Sequence, residues 1–134
     1  SIQAEYFYNS NSREGANDVV FSGWYIYVSY FITGESRPYK DTSATMSRVK
    51  PGNNFWDGEG GSGAWEIAFR VDSIDLTDDD IAGGEQMTYT VGANWDMNPN
   101  TRVMFNYVFG QQDPNADGAK ADLQAFMIRW QIDF

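Results

Sequence analysis

The side chains of this chain that could do chemistry are carboxylates, guanidiniums and amines, because its 134 residues include neither histidine nor cysteine. Without histidine no Ser-His relay can form, and the commonest metal ligand is missing. Without cysteine there are no thiol nucleophiles, disulfides or Cys-ligated metals. The sequence therefore predicts no enzyme activity, no metal site and no cofactor.

The charge balance is strongly acidic, with 9 Lys and Arg against 19 Asp and Glu and a formal net charge of −10. Binding of nucleic acid needs clustered basic residues, so we expect no nucleic-acid partner. The loop from Asp113 to Gly118 matches the first half of a calcium loop, but Gln124 stands where the bidentate Glu belongs. We interpret it as an ordinary Asp/Asn/Gly turn.

Alternating apolar and polar residues predict six β-strands, and nothing of comparable length has a helical period. No apolar run reaches the roughly 18 residues of a transmembrane helix. Asn98-Pro99-Asn100 predicts a tight turn, and short links between neighbouring strands predict an antiparallel meander. The predicted strands are approximately residues 2–8, 19–33, 64–72, 86–97, 102–109 and 126–134.

Each predicted strand has one bulky apolar face and one polar or small face. In the last strand, Arg129, Gln131 and Asp133 alternate with large apolar residues, and Phe134 closes the apolar face. A terminal Phe in this position is typical of outer-membrane β-barrels, whose outside contacts lipid and whose inside contacts water. A soluble β-barrel that holds a lipid would alternate in the same way with its faces exchanged, and periodicity alone does not distinguish the two.

Strand direction gives an internal test of the membrane interpretation. If Phe134 lies at the periplasmic end, the turn at 98–100 is also periplasmic, as expected for the side with short turns. Segment 34–63 must then be periplasmic or folded into the lumen. Five aromatic residues fall at one level and predict an aromatic girdle at the lipid interface: Tyr30, Trp65, Trp95, Trp130 and Phe134.

Several motifs resemble the phosphate-selective porin O and P family. Residues 30–40, YFITGESRPYK, are similar to that family's SYFLTGESRPY, and residues 48–51 are similar to its RVKP. The stretches GAWEIAFR at 63–70, GANW at 92–95, NPN at 98–100 and MFNYV at 104–108 follow in the family's order. The resemblance covers nearly the whole chain.

This resemblance implies an outer-membrane porin of a Gram-negative bacterium, a barrel of about sixteen strands assembled as a homotrimer in outer-membrane lipid. Six strands do not enclose a lumen, because a closed barrel needs about eight or more. We therefore expect residues 1–134 to be the C-terminal segment of one larger barrel domain, without separate domains. Otherwise the sheet edges must pair with other chains.

The resemblance also implies passive diffusion of small anions, with phosphate or polyphosphate as the solute class. Such selectivity needs Arg or Lys side chains along a narrow aqueous path. The candidates are Arg70, Arg102 and Arg129 on polar strand faces, with Arg37, Lys40, Arg48 and Lys50 in segment 34–63 as a basic vestibule.

Two alternatives remain open for these residues and for the barrel. The basic side chains could pair with neighbouring acids such as Glu66, Asp72, Asp96 and Asp133, as a packing device of the barrel wall. The barrel could also be a structural or adhesive one without transport.

Overall fold

The computed structural model describes residues 1–114 and 118–134, so the middle of the calcium-like loop, residues 115–117, lies outside the described residues. Six strands form one sheet in the order β1-β2-β5-β6-β7-β8, and the other two form a separate small pair. The prediction of an all-β chain with a six-stranded antiparallel sheet is confirmed. The strands are β1 (Ile2–Asn11), β2 (Val19–Phe31), β3 (Tyr39–Lys40), β4 (Thr45–Met46), β5 (Ala64–Asp78), β6 (Ile81–Asn98), β7 (Thr101–Asp113) and β8 (Ala121–Ile132).

The strand ends differ from the predicted ones. Strand β6 already begins at Ile81, in a stretch whose side chains do not alternate. Strand β8 begins at Ala121, where the apolar side chains alternate out of phase with those from Phe126 onward. Strand β8 ends at Ile132, so Phe134 follows the strand instead of closing it. The pair β3–β4 was not predicted, because two-residue strands are too short to show a period. Main-chain pairing extends strands beyond the point where side-chain pattern indicates them.

Burial in this chain is inverted relative to a soluble protein. Glu66 and Asp96 are buried, whereas large apolar side chains such as Ile67, Val91 and Ile128 are about half exposed. Charged side chains are almost never fully buried in a soluble domain unless they are paired. Within the part of the chain that the structure describes, few apolar residues are buried: Val19, Phe31, Val49 and Ala64.

Contacts divide the chain into two compact units. Unit 1 comprises Ser1–Val28, Phe69–Val91 and Tyr107–Ala125, and unit 2 comprises Ser29–Ala68, Gly92–Asn106 and Phe126–Phe134. In unit 1, β1 pairs antiparallel with β2, from Ile2 opposite Val28 to Asn11 opposite Val19. Unit 2 contains segment 34–63 and the apolar cluster of Phe31, Val49 and Ala64. No helix able to cross a bilayer occurs in residues 1–114 and 118–134.

Candidate functional site

A buried carboxylate lies at the start of β5, where segment 34–63 meets the sheet. Glu66 has no exposed surface. Arg37 donates from Nη2 to Glu66 Oε2 at 2.5 Å, and Asn94 of β6 donates from Nδ2 to the same oxygen at 2.8 Å. A buried charge is tolerated only when it is paired and hydrogen-bonded. The guanidinium of Arg37 therefore attaches the first part of segment 34–63 to the polar face of unit 2.

A second ion pair follows on the same face. Asp96 lies two positions after Asn94, and side chains two apart in a strand point to the same side. Its Oδ1 accepts from Arg102 Nε of β7 at 2.6 Å, and Asp96 is only 4% exposed. Glu66 Oε1, Arg37 Nε and Asp96 Oδ2 have no hydrogen-bond partner within residues 1–114 and 118–134. Within each pair the two charges neutralise each other. Each pair also leaves buried polar atoms, to which water can form hydrogen bonds.

Further hydrogen bonds tie segment 34–63 to the strand ends. The Glu35 carboxylate accepts from the Thr33 hydroxyl and, at 3.1 Å, from the Gly52 N–H. Burial is the largest single influence and raises the pKa of Glu35, but the bonds from Thr33 and Gly52 together keep that pKa below its ordinary value. Arg48 Nη1 donates to Asn100 Oδ1 at 3.0 Å. The first half of the segment is therefore fixed by polar contacts.

Aromatic rings meet on the opposite face of the same strand ends. Trp65 and Trp95 stack with centroids 5.2 Å apart, and Phe55 of segment 34–63 meets Trp95 edge-on at 4.7 Å. The structure thus brings together two residues of the predicted girdle. Tyr30, Trp130 and Phe134 are largely exposed side chains of unit 2. Phe55 and the neighbouring Trp56 were missed, although two adjacent aromatics in a Gly-rich stretch are a visible signal.

The seven basic candidates fall into two groups. Arg37 and Arg102 pair with buried carboxylates, and Arg70 lies 3.5 Å from Asp72 and 4.3 Å from the Tyr25 ring centroid. The others form no ion pair within the part of the chain that the structure describes: Lys40, Arg48, Lys50 and Arg129. Among the same residues, no group of three or more acidic side chains is arranged to hold a metal ion.

Comparison with known proteins agrees with the sequence motifs. The sequence model of the family described as phosphate-selective porin O and P matches residues 1–134. The chain belongs to this family. It is 29% identical over 146 residues to Porin O of Pseudomonas aeruginosa, which covers 100% of the chain and 32% of Porin O. It is 30% identical over 104 residues to an uncharacterized protein of Caulobacter vibrioides, which covers 78% of the chain and 20% of that protein.

Membership of the porin family has direct consequences. The family is one of porins and not of enzymes, and membership places the protein in the outer membrane. The soluble lipid-holding barrel, which the alternating pattern left open, does not agree with that location. The chain spans about a third of Porin O and a fifth of the Caulobacter protein.

Proposed function

We propose that residues 1–134 form six C-terminal strands of a single larger outer-membrane β-barrel, whose water-filled lumen allows passive diffusion of small anions. Phosphate or polyphosphate is the proposed solute class. The inverted burial supports this function: Glu66 and Asp96 are buried with Arg partners, whereas Ile67, Val91 and Ile128 are half exposed. A barrel with lipid outside and water inside needs this distribution.

The sheet order supports the larger barrel. Strands β1 and β8 stand at the two ends of the order, so each has one edge without a partner strand among the described residues. An unpaired backbone group in lipid costs several kcal/mol. Because the chain corresponds to 32% of Porin O, further strands of a longer chain are the proposed partners of both edges. We further propose about sixteen strands in all and a homotrimer in outer-membrane lipid.

The proposed anion contacts are the basic candidates that form no ion pair with a carboxylate of residues 1–114 and 118–134. An anion leaves its hydration shell when Arg or Lys supplies charge-assisted hydrogen bonds in its place. Arg37 and Arg102 already donate to carboxylates at 2.5 and 2.6 Å, so their charges are compensated. We therefore assign the anion path of this wall to Lys40, Arg48, Lys50 and Arg129, with no covalent step. Arg37, Arg70 and Arg102 are instead proposed as pairing residues of the wall.

Reversal potentials in a KCl gradient test this proposal on the full-length protein in planar bilayers. We expect an anion-selective channel whose chloride conductance falls when phosphate is added. The variant Lys40→Gln/Lys50→Gln should lower the chloride-to-potassium permeability ratio. Arg13→Gln/Lys120→Gln is the matched control, because it removes the same charge from side chains already paired with Asp80 and Asp113, both at 2.6 Å.

Each other outcome has a defined meaning. A cation-selective wild-type channel would remove the anion assignment while leaving the porin intact. A correctly folded barrel that conducts no ions would favour the structural or adhesive alternative. Equal losses of selectivity in the two double variants would show that total charge, and not the position of Lys40 and Lys50, sets the permeability ratio.

A further inference from the structure

The second half of segment 34–63 lies on a different side of the strand ends from the first half. Residues 53–63, here called the rim loop, close on themselves where Gly63 N–H donates to the Asn53 carbonyl at 3.1 Å. Phe55 N–H donates to the Met97 carbonyl at 2.7 Å, so the loop continues along the edge of β6. Trp95 Nε1 donates to the Ser62 carbonyl at 2.8 Å. The rim loop is therefore attached to the aromatic side.

The aromatic surface of the strands continues into the rim loop. The Phe55 ring packs on Trp95, which stacks on Trp65, and the Phe55 and Trp56 centroids are 5.9 Å apart. Ile67 lies two positions after Trp65 on the same face of β5 and is 49% exposed. Apolar side chains of the strands and of the rim loop therefore lie on the same side of unit 2.

Trp56 is presented outward at the end of this surface. Its side chain is 88% exposed, and its φ of 61° lies in the left-handed region that residues other than glycine seldom adopt. A residue keeps such an unfavourable backbone conformation only where contacts of the neighbouring residues hold it in place. Here the Asp57 carboxylate accepts from the N–H groups of Glu59 at 2.8 Å and Gly61 at 3.1 Å. At Gly61 a Cβ atom would overlap the Asn54 carbonyl oxygen.

We propose that the rim loop is a bilayer anchor, in which Trp56 enters the zone between lipid headgroups and acyl chains. This inference rests on the proposed function, because it requires the aromatic face to contact lipid. Indole suits that zone, since its ring is apolar and its N–H finds a polar partner among the headgroups. Asp57 and Glu59 follow Trp56 in the loop and are negatively charged, so the matching surface is zwitterionic phospholipid, whose cationic ammonium groups face these carboxylates.

Site-directed spin labelling of the full-length protein tests the anchor. Residues 1–134 contain no cysteine, so each introduced one is unique in this region, and any cysteine elsewhere is replaced by serine. Trp56→Cys, Ile67→Cys and Tyr39→Cys are labelled in vesicles of zwitterionic phosphatidylcholine. We expect position 56 to be accessible to oxygen and protected from a water-soluble nickel complex, as position 67 should be. Position 39, on the exposed β3–β4 pair, should show the reverse.

Two outcomes overturn the anchor and are distinguishable from failure of the proposed function. If position 67 contacts lipid but position 56 contacts water, or is shielded from both reagents, the anchor is wrong and the barrel orientation stands. If position 67 contacts water, the orientation itself is wrong. A second readout avoids dependence on the cysteine variants. At equal protein concentration, the loss of fluorescence intensity caused by brominated lipid should be larger for the wild type than for Trp56→Phe, and an equal loss of intensity contradicts the anchor.

Discussion

Glu66 and Ile67 are neighbours in β5 and lie in opposite surroundings. Glu66 is fully buried against Arg37 and Asn94, whereas Ile67 is 49% exposed. In a water-soluble sheet the isoleucine would be covered and the glutamate would be solvated. In the proposed barrel, paired charges stabilise one face, and contact with lipid stabilises the other.

The largest expected loss of stability comes from removing the buried ion pair of the polar face. Glu66→Ala removes the acceptor of Arg37 and Asn94 and leaves a guanidinium without its partner, so the free energy of unfolding should fall by about 3–5 kcal/mol. This free energy is measured by urea titration of the full-length protein in lipid vesicles, with tryptophan fluorescence as the signal. The double variant Arg37→Ala/Glu66→Ala should lose less than the sum of the two single variants. Additive losses would contradict a direct pair.

The two faces can also be compared by placing the same charge on each. Val91 is 57% exposed near the middle of β6, and Thr90 points to the other face. Val91→Arg should lower the free energy of unfolding by about 2–4 kcal/mol, which is the cost of a cation on the lipid face at the bilayer midplane. Thr90→Arg should change conductance with little loss of stability. The same unfolding titration measures both, and a larger loss for Thr90→Arg would reverse the assignment of faces.

The smallest expected effect is a pH dependence of amide hydrogen exchange in the rim loop. Hydrogen bonds from the N–H groups of Glu59 and Gly61 lower the pKa of Asp57. A lowered folded pKa means that the stabilising contribution is present above the unfolded value and is lost as pH falls through the folded value. We expect the two amides to exchange faster at about pH 3 than at about pH 6, after correction for intrinsic rates. Asp57→Asn should abolish this difference between the two pH values. If the difference is unchanged in that variant, a titrating group other than Asp57 causes it.

The sequence predicted the part of the fold that depends on alternation. Strand β7 and the centre of β6 repeat every second residue, and Trp65 and Trp95 were expected at one level. The neutralisation of Arg102 by Asp96 was foreseen only as an alternative.

The alternating pattern does not predict the contacts made by the long connection. Arg37 and Glu66 are far apart in sequence, and the path between them is irregular. The exposure of Trp56 depends on backbone conformations within a glycine-rich turn, which no repeating pattern encodes. Periodicity therefore indicates which way a strand residue points and says little about where a long connection returns.

Gly63 joins the rim loop to β5, and its geometry restricts how this region can change. Its φ is 70°, and a Cβ atom there would lie 2.5 Å from the Asp96 carbonyl oxygen, so no larger residue fits without moving the strand. The loop before it is restricted as well, because Gly58 and Gly60 each have a φ of 86° and a Cβ atom at Gly61 would overlap the Asn54 carbonyl oxygen. For protein engineering, the glycines of the loop and of its junction are consequently positions to keep, whereas substitutions at the exposed Glu59 should leave the register of β5 intact.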